Sequence, residues 1–468
     1  MVTTGWKAEA EADTPQPPSV LRTPAVARLV GTYGFSAVGS AMVAVAMAYV
    51  AYRESGSIVL TVVVVAANAA PALILSPLVG RLAVRYDPRA LEVAGQGVKV
   101  ALSVVLAAVA AAGDLTYGVL LAMNVANGIV SALIAPAWPR LIRMSAPEGR
   151  LDEVTAATSA AAAIAAIVGA LAGGIVVAAV GATWVFVFNA VSYLPLMWAV
   201  QQVPGTASEP RETRGAVRAG VEAVRRIDRL REAFVLAAML NLAAWPVLSV
   251  MPAVAQDVES HAHVLGLLVG AFYAGAAIVT WVVRRLRSRL PYGRILFIGF
   301  LGAGLLILGH AVLTAWRAPG YDAVIVAGIT LIPIGLTVAL DTSLLQALVQ
   351  LSAPAEQQAP VLVVYATVTT VVTPIGGLVI GLLADEVSLW FALAFAGVCL
   401  TALALALRTR LRVFDDLGDE HEHPAPHAHH VHLIHLFGWD VARATIADAS
   451  APSRHAWEGR GVSPAAPR

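Results

Sequence analysis

Twelve apolar runs, each about 20 residues long, follow one another between residue 29 and residue 408. About 20 apolar residues in a helix span the ~30 Å hydrocarbon core of a bilayer. The runs cover roughly residues 29–52, 58–80, 90–112, 117–139, 155–180, 183–202, 233–254, 263–284, 293–315, 322–345, 360–384 and 387–408. Inside lipid no water is available to the backbone, so each run must satisfy its own N–H and C=O groups as a helix. No period-two alternation recurs from segment to segment, which argues against a membrane β-barrel. Only 13% of the 468 residues are charged, against about 25% in a soluble domain. The expected fold class is an all-α integral membrane protein, with the lipid bilayer as its first partner.

Arginine sets the orientation. The loop after span 2 holds Arg81, Arg85 and Arg89, and the loop after span 4 holds Arg140, Arg143 and Arg150. The loop after span 6 carries seven arginines from Arg211 to Arg231, and the loop after span 8 five from Arg284 to Arg294. The opposite loops offer Arg53 and Arg317. Both termini and the even-to-odd loops are therefore expected in the cytoplasm. Of 31 basic residues only Lys7 and Lys99 are lysine, a bias of GC-rich bacterial genomes that suggests a bacterial plasma (inner) membrane. A net charge of +1 argues against a nucleic-acid partner. The single cysteine, Cys399, excludes an internal disulfide and a cysteine metal cage.

The spans divide six and six. Residues 1–26 read as a disordered cytoplasmic tail without the basic start and cleavage site of a signal peptide. Residues 27–202 form an N-terminal six-helix bundle and 233–412 a C-terminal one. The polar break between them, 203–232, places Val217, Val221, Val224, Ile227 and Leu230 near helical spacing, as in a helix lying on a membrane surface. Loops 2–3 and 8–9 echo each other: both are short and arginine-rich, with turns at Asp87-Pro88 and Pro291-Tyr292-Gly293. Two parallel six-span repeats are the plan of many secondary transporters, with the substrate held near the midplane between them.

Three stretches, in order, carry a family resemblance. SPLVGRLAVRYDPR matches a loop reading roughly G-x-L-A-D-R-x-D/G-R-R at Gly80, Leu82, Ala83, Arg85, Asp87 and Arg89. IVGALAGGIVVAAVG resembles the span 5 pattern G-P-x-x-G-G, with Gly169, Gly173 and Gly174 kept and Ala170 in place of Pro. TPIGGLVIGLLAD, at 373–385, lies in span 11 and includes Gly376 and Gly377. From about Ala27 to Arg412 the chain resembles the major facilitator superfamily, and within it the bacterial branch of macrolide-type and enterobactin-type exporters. The resemblance implies two pseudo-symmetric six-helix bundles and alternating access. The chain departs from the pattern at Val84, where the loop has Asp. It departs again at Asn124, where proton-coupled drug exporters have Arg, and at Gln358-Ala359-Pro360, where the family has R-G-R. Proton coupling therefore does not carry over residue by residue.

Polar residues within the spans are candidates for function because each is costly there. Asp341 is the acid on span 10, a helix that lines the cavity if the superfamily arrangement holds, and is the candidate coupling carboxylate. Its alternative is an acid that serves helix packing. Lys99 shares a face of span 3 with Gln96 and Glu92, either snorkelling toward the cytoplasm beside Glu92 or forming a gating ion pair. Asp87 can pair with Arg85 or Arg89, or cap span 3. Tyr33, Asn68, Asn124, Asn127, Asn241, Trp245, Tyr273 and Tyr365 are candidates for a largely apolar substrate cavity, with interhelical bonding or packing as the alternative use of each. Trp245-Pro246 predicts a bend. Gly80, Gly169, Gly173, Gly174, Gly376 and Gly377 are expected to serve close helix packing.

Residues 413–468 form a histidine-rich cytoplasmic tail. His421, His423, His427, His429, His430 and His432 could hold a divalent metal such as zinc or nickel, and no other cofactor is expected. The leading reading is a monomeric secondary-active efflux transporter, an antiporter of small hydrophobic or amphiphilic compounds with protons as coupling ion. The alternatives are a divalent-metal exporter and a facilitator-fold scaffold or receptor that does not transport. No phosphate-binding loop or soluble catalytic domain is present, so an enzyme is not expected.

Overall fold

In the computed structural model, residues 19–75, 79, 85–205, 216–259, 261–316 and 321–408 are described. Among these residues all regular structure is helical. Among the described residues, eleven helices are long and apolar enough to cross a membrane. Span 1 is Pro24–Ser55, span 3 Pro88–Ala112, span 5 Leu151–Val180 and span 6 Ala182–Gln201. Span 4, Tyr117–Ile134, is followed by Ala137–Ser145. In the second half span 9 is Tyr292–Trp316, span 10 Tyr321–Ser352, span 11 Gln358–Glu386 and span 12 Leu389–Leu407.

Three spans are interrupted, the first two at a proline. Span 2, expected as one helix over 58–80, is described as Ile58–Ala66 and Ala70–Ile74, with a turn at 67–69 between them. Pro71 has no N–H to return to the preceding turn, so it sits in the first turn of the new helix, where none is needed. Span 7 runs Asp228–Ala243, tightens to a 3₁₀ segment at Trp245–Val250, and resumes as Met251–Glu259. Pro246 sits at the start of that tight segment, where the bend was expected. Span 8 is Ala262–Ala277 followed by Val279–Arg287.

The packing repeats between the halves. Span 1 lies on span 5 and span 7 on span 11; span 3 lies on span 6 and span 9 on span 12. Across the halves, span 5 meets span 8 and span 2 meets span 11, which are equivalent pairs under the repeat. The close approaches fix the register. Gly95 receives Ile134, and Gly299, 204 residues later, receives Asp341. Gly128 lies against the carbonyl of Asn68, and Gly335 against that of Phe272, which is 204 residues after Asn68. Ile134 follows Gly128 by six residues, as Asp341 follows Gly335. The helix Ala216–Arg226 lies on span 11, where Gly220 meets the Pro360 carbonyl.

Candidate functional site

The two halves meet through glycine. A methyl group on Gly174 would fall 2.7 Å from the Ala262 carbonyl oxygen and 2.8 Å from Gly266 Cα, so spans 5 and 8 touch backbone to backbone. One residue earlier the role changes: a methyl on Gly173 would lie 2.8 Å from Met42 Cα, and one on Gly169 2.6 Å from the Val38 carbonyl, both on span 1. The second half repeats this division. Gly376 faces Leu242 and Pro246 of span 7, whereas Gly377 faces Val62 of span 2 across the divide, where an added methyl would fall 2.9 Å from Val62 Cγ1. Gly173 and Gly376 thus build each half, and Gly174 and Gly377 join them. These joining contacts all lie toward the ends of the spans that are remote from the arginine-rich loops.

In the N-terminal half the polar candidates pair locally. Asn127 donates to Asn68 at 2.9 Å, tying span 4 to the broken part of span 2. Asn124 is half-buried on span 4 and makes no hydrogen bond to a described residue. Tyr33 stacks on Trp138 with ring centroids 4.4 Å apart. Glu92 is buried and accepts from Gln96 Nε2 at 2.8 Å. The expected partnership of Glu92 with Lys99 does not form: among the described residues no carboxylate lies within 4.0 Å of the ammonium, which instead sits 6.0 Å from the centre of the Tyr193 ring. The reason is reach. Seven residues of helix rise about 10 Å, whereas Gln96 is one turn from Glu92.

At the arginine-rich loop before span 3, Asp87 caps span 3, accepting from the Arg89 N–H at 2.7 Å, and its other oxygen stands 4.0 Å from the Arg89 guanidinium. Arg85 lies over the Tyr86 ring and makes no ion pair with Asp87. Arg89 also donates to the Gly205 carbonyl. Gly80 and Val84 lie outside the described residues, as do the candidate metal ligands His421, His423, His427, His429, His430 and His432. Among the described residues no group of three or more potential ligands is placed to hold a metal.

The C-terminal half holds the deepest acid. Asp341 is 0% exposed, and neither carboxylate oxygen has a hydrogen-bond partner among the described residues. The carboxylate points at Gly299 of span 9, where any side chain would collide with it. It therefore lies between spans 9 and 10, while its neighbour Thr342 turns to span 7 and accepts from the Trp245 indole at 3.3 Å. Asn241 is buried, accepting from Thr373 of span 11 at 2.8 Å and donating to the Ala237 carbonyl at 2.8 Å. Phe272 stands edge-on to Tyr273 and tilts against Trp245, both at 5.8 Å. Tyr365 is buried edge-on to Phe234. Trp245, Thr342, Asn241 and Thr373 thus link spans 7, 10 and 11 by polar contacts, apart from the Asn68–Asn127 pair.

Sequence reasoning missed several residues of this arrangement. Gly266 and Gly270 form a G-x-x-x-G pair in span 8, a recognised signature of close helix contact. Gly299 has no signal of its own, since its importance comes from Asp341. His310 is buried in span 9 with Nδ1 2.7 Å from Thr330 Oγ1 of span 10. Asp385 closes the span 11 motif and had no role assigned. Its carboxylate reaches span 2, accepting from Ser57 Oγ at 2.6 Å and from the Ile58 and Val59 N–H groups at 2.9 and 3.1 Å.

A family model described as transmembrane secretion effector matches residues 17–434. No curated protein matches the chain. Among solved structures, the peptide transporter POT superposes with a TM-score of 0.66 at 13% identity, covering 89% of this chain and 100% of that one. A D-xylose-proton symporter gives 0.63 at 15% identity, covering 83% and 98%. A bacterial homolog of the human lysosomal transporter Spinster, in an inward-facing and unoccupied conformation, gives 0.60 at 12% identity, covering 88% and 100%. At these identities the likeness is one of fold.

Proposed function

For a chain that belongs to the transmembrane secretion effector family of major facilitator superfamily transporters, and is a secondary transporter rather than an enzyme, we propose efflux of small hydrophobic or amphiphilic compounds, coupled to protons through Asp341. The observation that carries the coupling is positional. Under the repeat, Asp341 occupies the place of Ile134, each filling the notch of a glycine on the neighbouring helix. Packing at this position needs only an apolar side chain, so the carboxylate is not required by the fold. An ionised acid without a partner is costly at such depth. A carboxylate that takes up a proton before burial and gives it up on exposure would avoid that cost in both states. The family's description as secretion effectors supports outward transport. The aromatic, amide and hydroxyl side chains that spans 7, 10 and 11 bring together suit a lipophilic substrate with a few polar handles.

The test is substrate-dependent proton flux in proteoliposomes, using a panel of lipophilic and amphiphilic compounds. Asp341→Asn should lose at least ~90% of coupled flux, in line with the loss of an interaction worth more than about 1.4 kcal/mol, while substrate binding by the purified protein persists. Wild-type flux in the variant would remove Asp341 from the mechanism.

This proposal places both termini in the cytoplasm of a bacterial plasma membrane. Reporter fusions at Gly113 and Ala318 should then read outside, and those at Gly205 and Gly418 inside; a reversed reading at any two of the four would refute the topology. The histidine-rich tail is, on the same proposal, a peripheral metal binder. Truncation after Arg412 should leave expression and efflux within about twofold and reduce zinc or nickel retention by the purified protein. Collapse of metal tolerance in cells, with no organic substrate found, would favour the metal-exporter alternative.

A further inference from the structure

The contact of Asp385 with span 2 joins opposite halves of the molecule. Asp385 stands at the last turn of span 11, and Ser57, Ile58 and Val59 begin the nine-residue first helix of span 2. The carboxylate accepts one hydroxyl and two backbone N–H groups there, at 2.6, 2.9 and 3.1 Å. Those N–H groups have no partner within their own helix, and the helix N-terminus carries a partial positive charge that favours an anion. Below it the halves meet through Gly381 against Val59 and Gly377 against Val62. The contact is one-sided. Span 8, the repeat of span 2, begins at Ala262 after His261, with no side-chain cap. The residue 203 positions before Asp385 is Ala182.

We propose that Asp385 is the gating residue of the arginine-poor face: it latches span 11 to the N-terminus of span 2 when that face is closed and releases it when the face opens. Ser57 supplies the hydroxyl half of the latch and holds its own helix end when released, since its Oγ also accepts from the Leu60 N–H at 3.2 Å. The proposal rests on the alternating-access reading, because only a gate that opens needs a releasable contact. A carboxylate on N–H groups suits that need. It is directional and charge-assisted, and once parted both sides can be satisfied by water.

The test reads opening without any substrate. Val62, buried beneath the latch against Gly377, is replaced by cysteine in a Cys399→Ala background. Labelling by a membrane-impermeant maleimide is then timed in right-side-out and in inverted vesicles. Asp385→Asn and Asp385→Ala should each speed labelling about three- to fivefold in right-side-out vesicles, the upper part of the range expected for loss of an exposed anion from a helix N-terminus. Ser57→Ala, which keeps the carboxylate, should give a smaller rise in the same direction and serves if the Asp385 variants fold poorly. Rates within twofold of the parent in every folded variant would overturn the proposal. A rise confined to inverted vesicles would overturn it as well, by placing the opening on the other face. Failure to find an exported compound, with labelling accelerated, would count against the substrate reading alone.

Discussion

Asp341→Ile is expected to make the protein more stable and inactive at once. The substitution places in the C-terminal half the side chain that the N-terminal half already uses, Ile134 against Gly95, at the position where Asp341 meets Gly299. Removing a buried polar group that makes no hydrogen bond relieves a cost of about 1–3 kcal/mol. Unfolding of the detergent-solubilised protein should therefore shift upward by several degrees, while substrate-driven proton flux falls to background. Asp341→Asn should lose flux without the gain in stability, because an amide at this site is still a buried polar group. An Asp341→Ile protein less stable than the parent would mean that the carboxylate has a structural partner, and the packing equivalence would then be wrong. Gly299→Ala supplies the converse: its methyl falls on the carboxylate, and flux and stability should both drop.

Gly174→Leu and Gly173→Leu, adjacent substitutions of one residue type, are expected to fail in different ways. Gly173 faces Met42 of its own half, so a large side chain there must part spans 1 and 5. That is overpacking inside a bundle, costing about 1–3 kcal/mol or more, and expression and thermal stability should fall. Gly174 faces Gly266 of the other half. A leucine there can be accommodated if the halves separate, so the protein should fold but be unable to close its arginine-poor face. Binding should persist, transport should fall about a hundredfold or more if closure is opposed by over ~2.7 kcal/mol, and a cysteine at Val62 should label rapidly. Equal loss of expression in both variants would show that the two glycines do not divide their work.

What the sequence made legible follows from the solvent. Twelve apolar runs could be counted because lipid leaves each backbone to satisfy its own polar groups as helix. The bend at Trp245-Pro246 and the glycine contacts were legible for local reasons, a missing donor and a missing side chain. The rotation of each helix about its axis was not. In water an apolar stripe marks the buried face; in lipid both faces are apolar, and span 10 shows no stripe to orient Asp341. Its direction toward Gly299, rather than toward span 7 with Thr342, came only from packing. The same limit hid which of three neighbouring glycines joins the halves, and it left Asp385 as the end of a motif rather than a partner of Ser57 some 328 residues away.

The glycine seam between spans 5 and 8 bears on the temperature dependence and speed of the cycle. Where two surfaces of long side chains meet, closing them freezes rotamers, at up to ~1.5–2 kcal/mol for each long flexible chain. Gly174 meeting Gly266 freezes none. Attraction at such a seam comes from close atomic contact alone, and little disorder is surrendered to obtain it. Closed and open arrangements can then lie within a few kcal/mol of each other, close enough for the movement of one proton or the arrival of one ligand to decide between them. A seam of leucines would hold harder and would have to melt before it could turn.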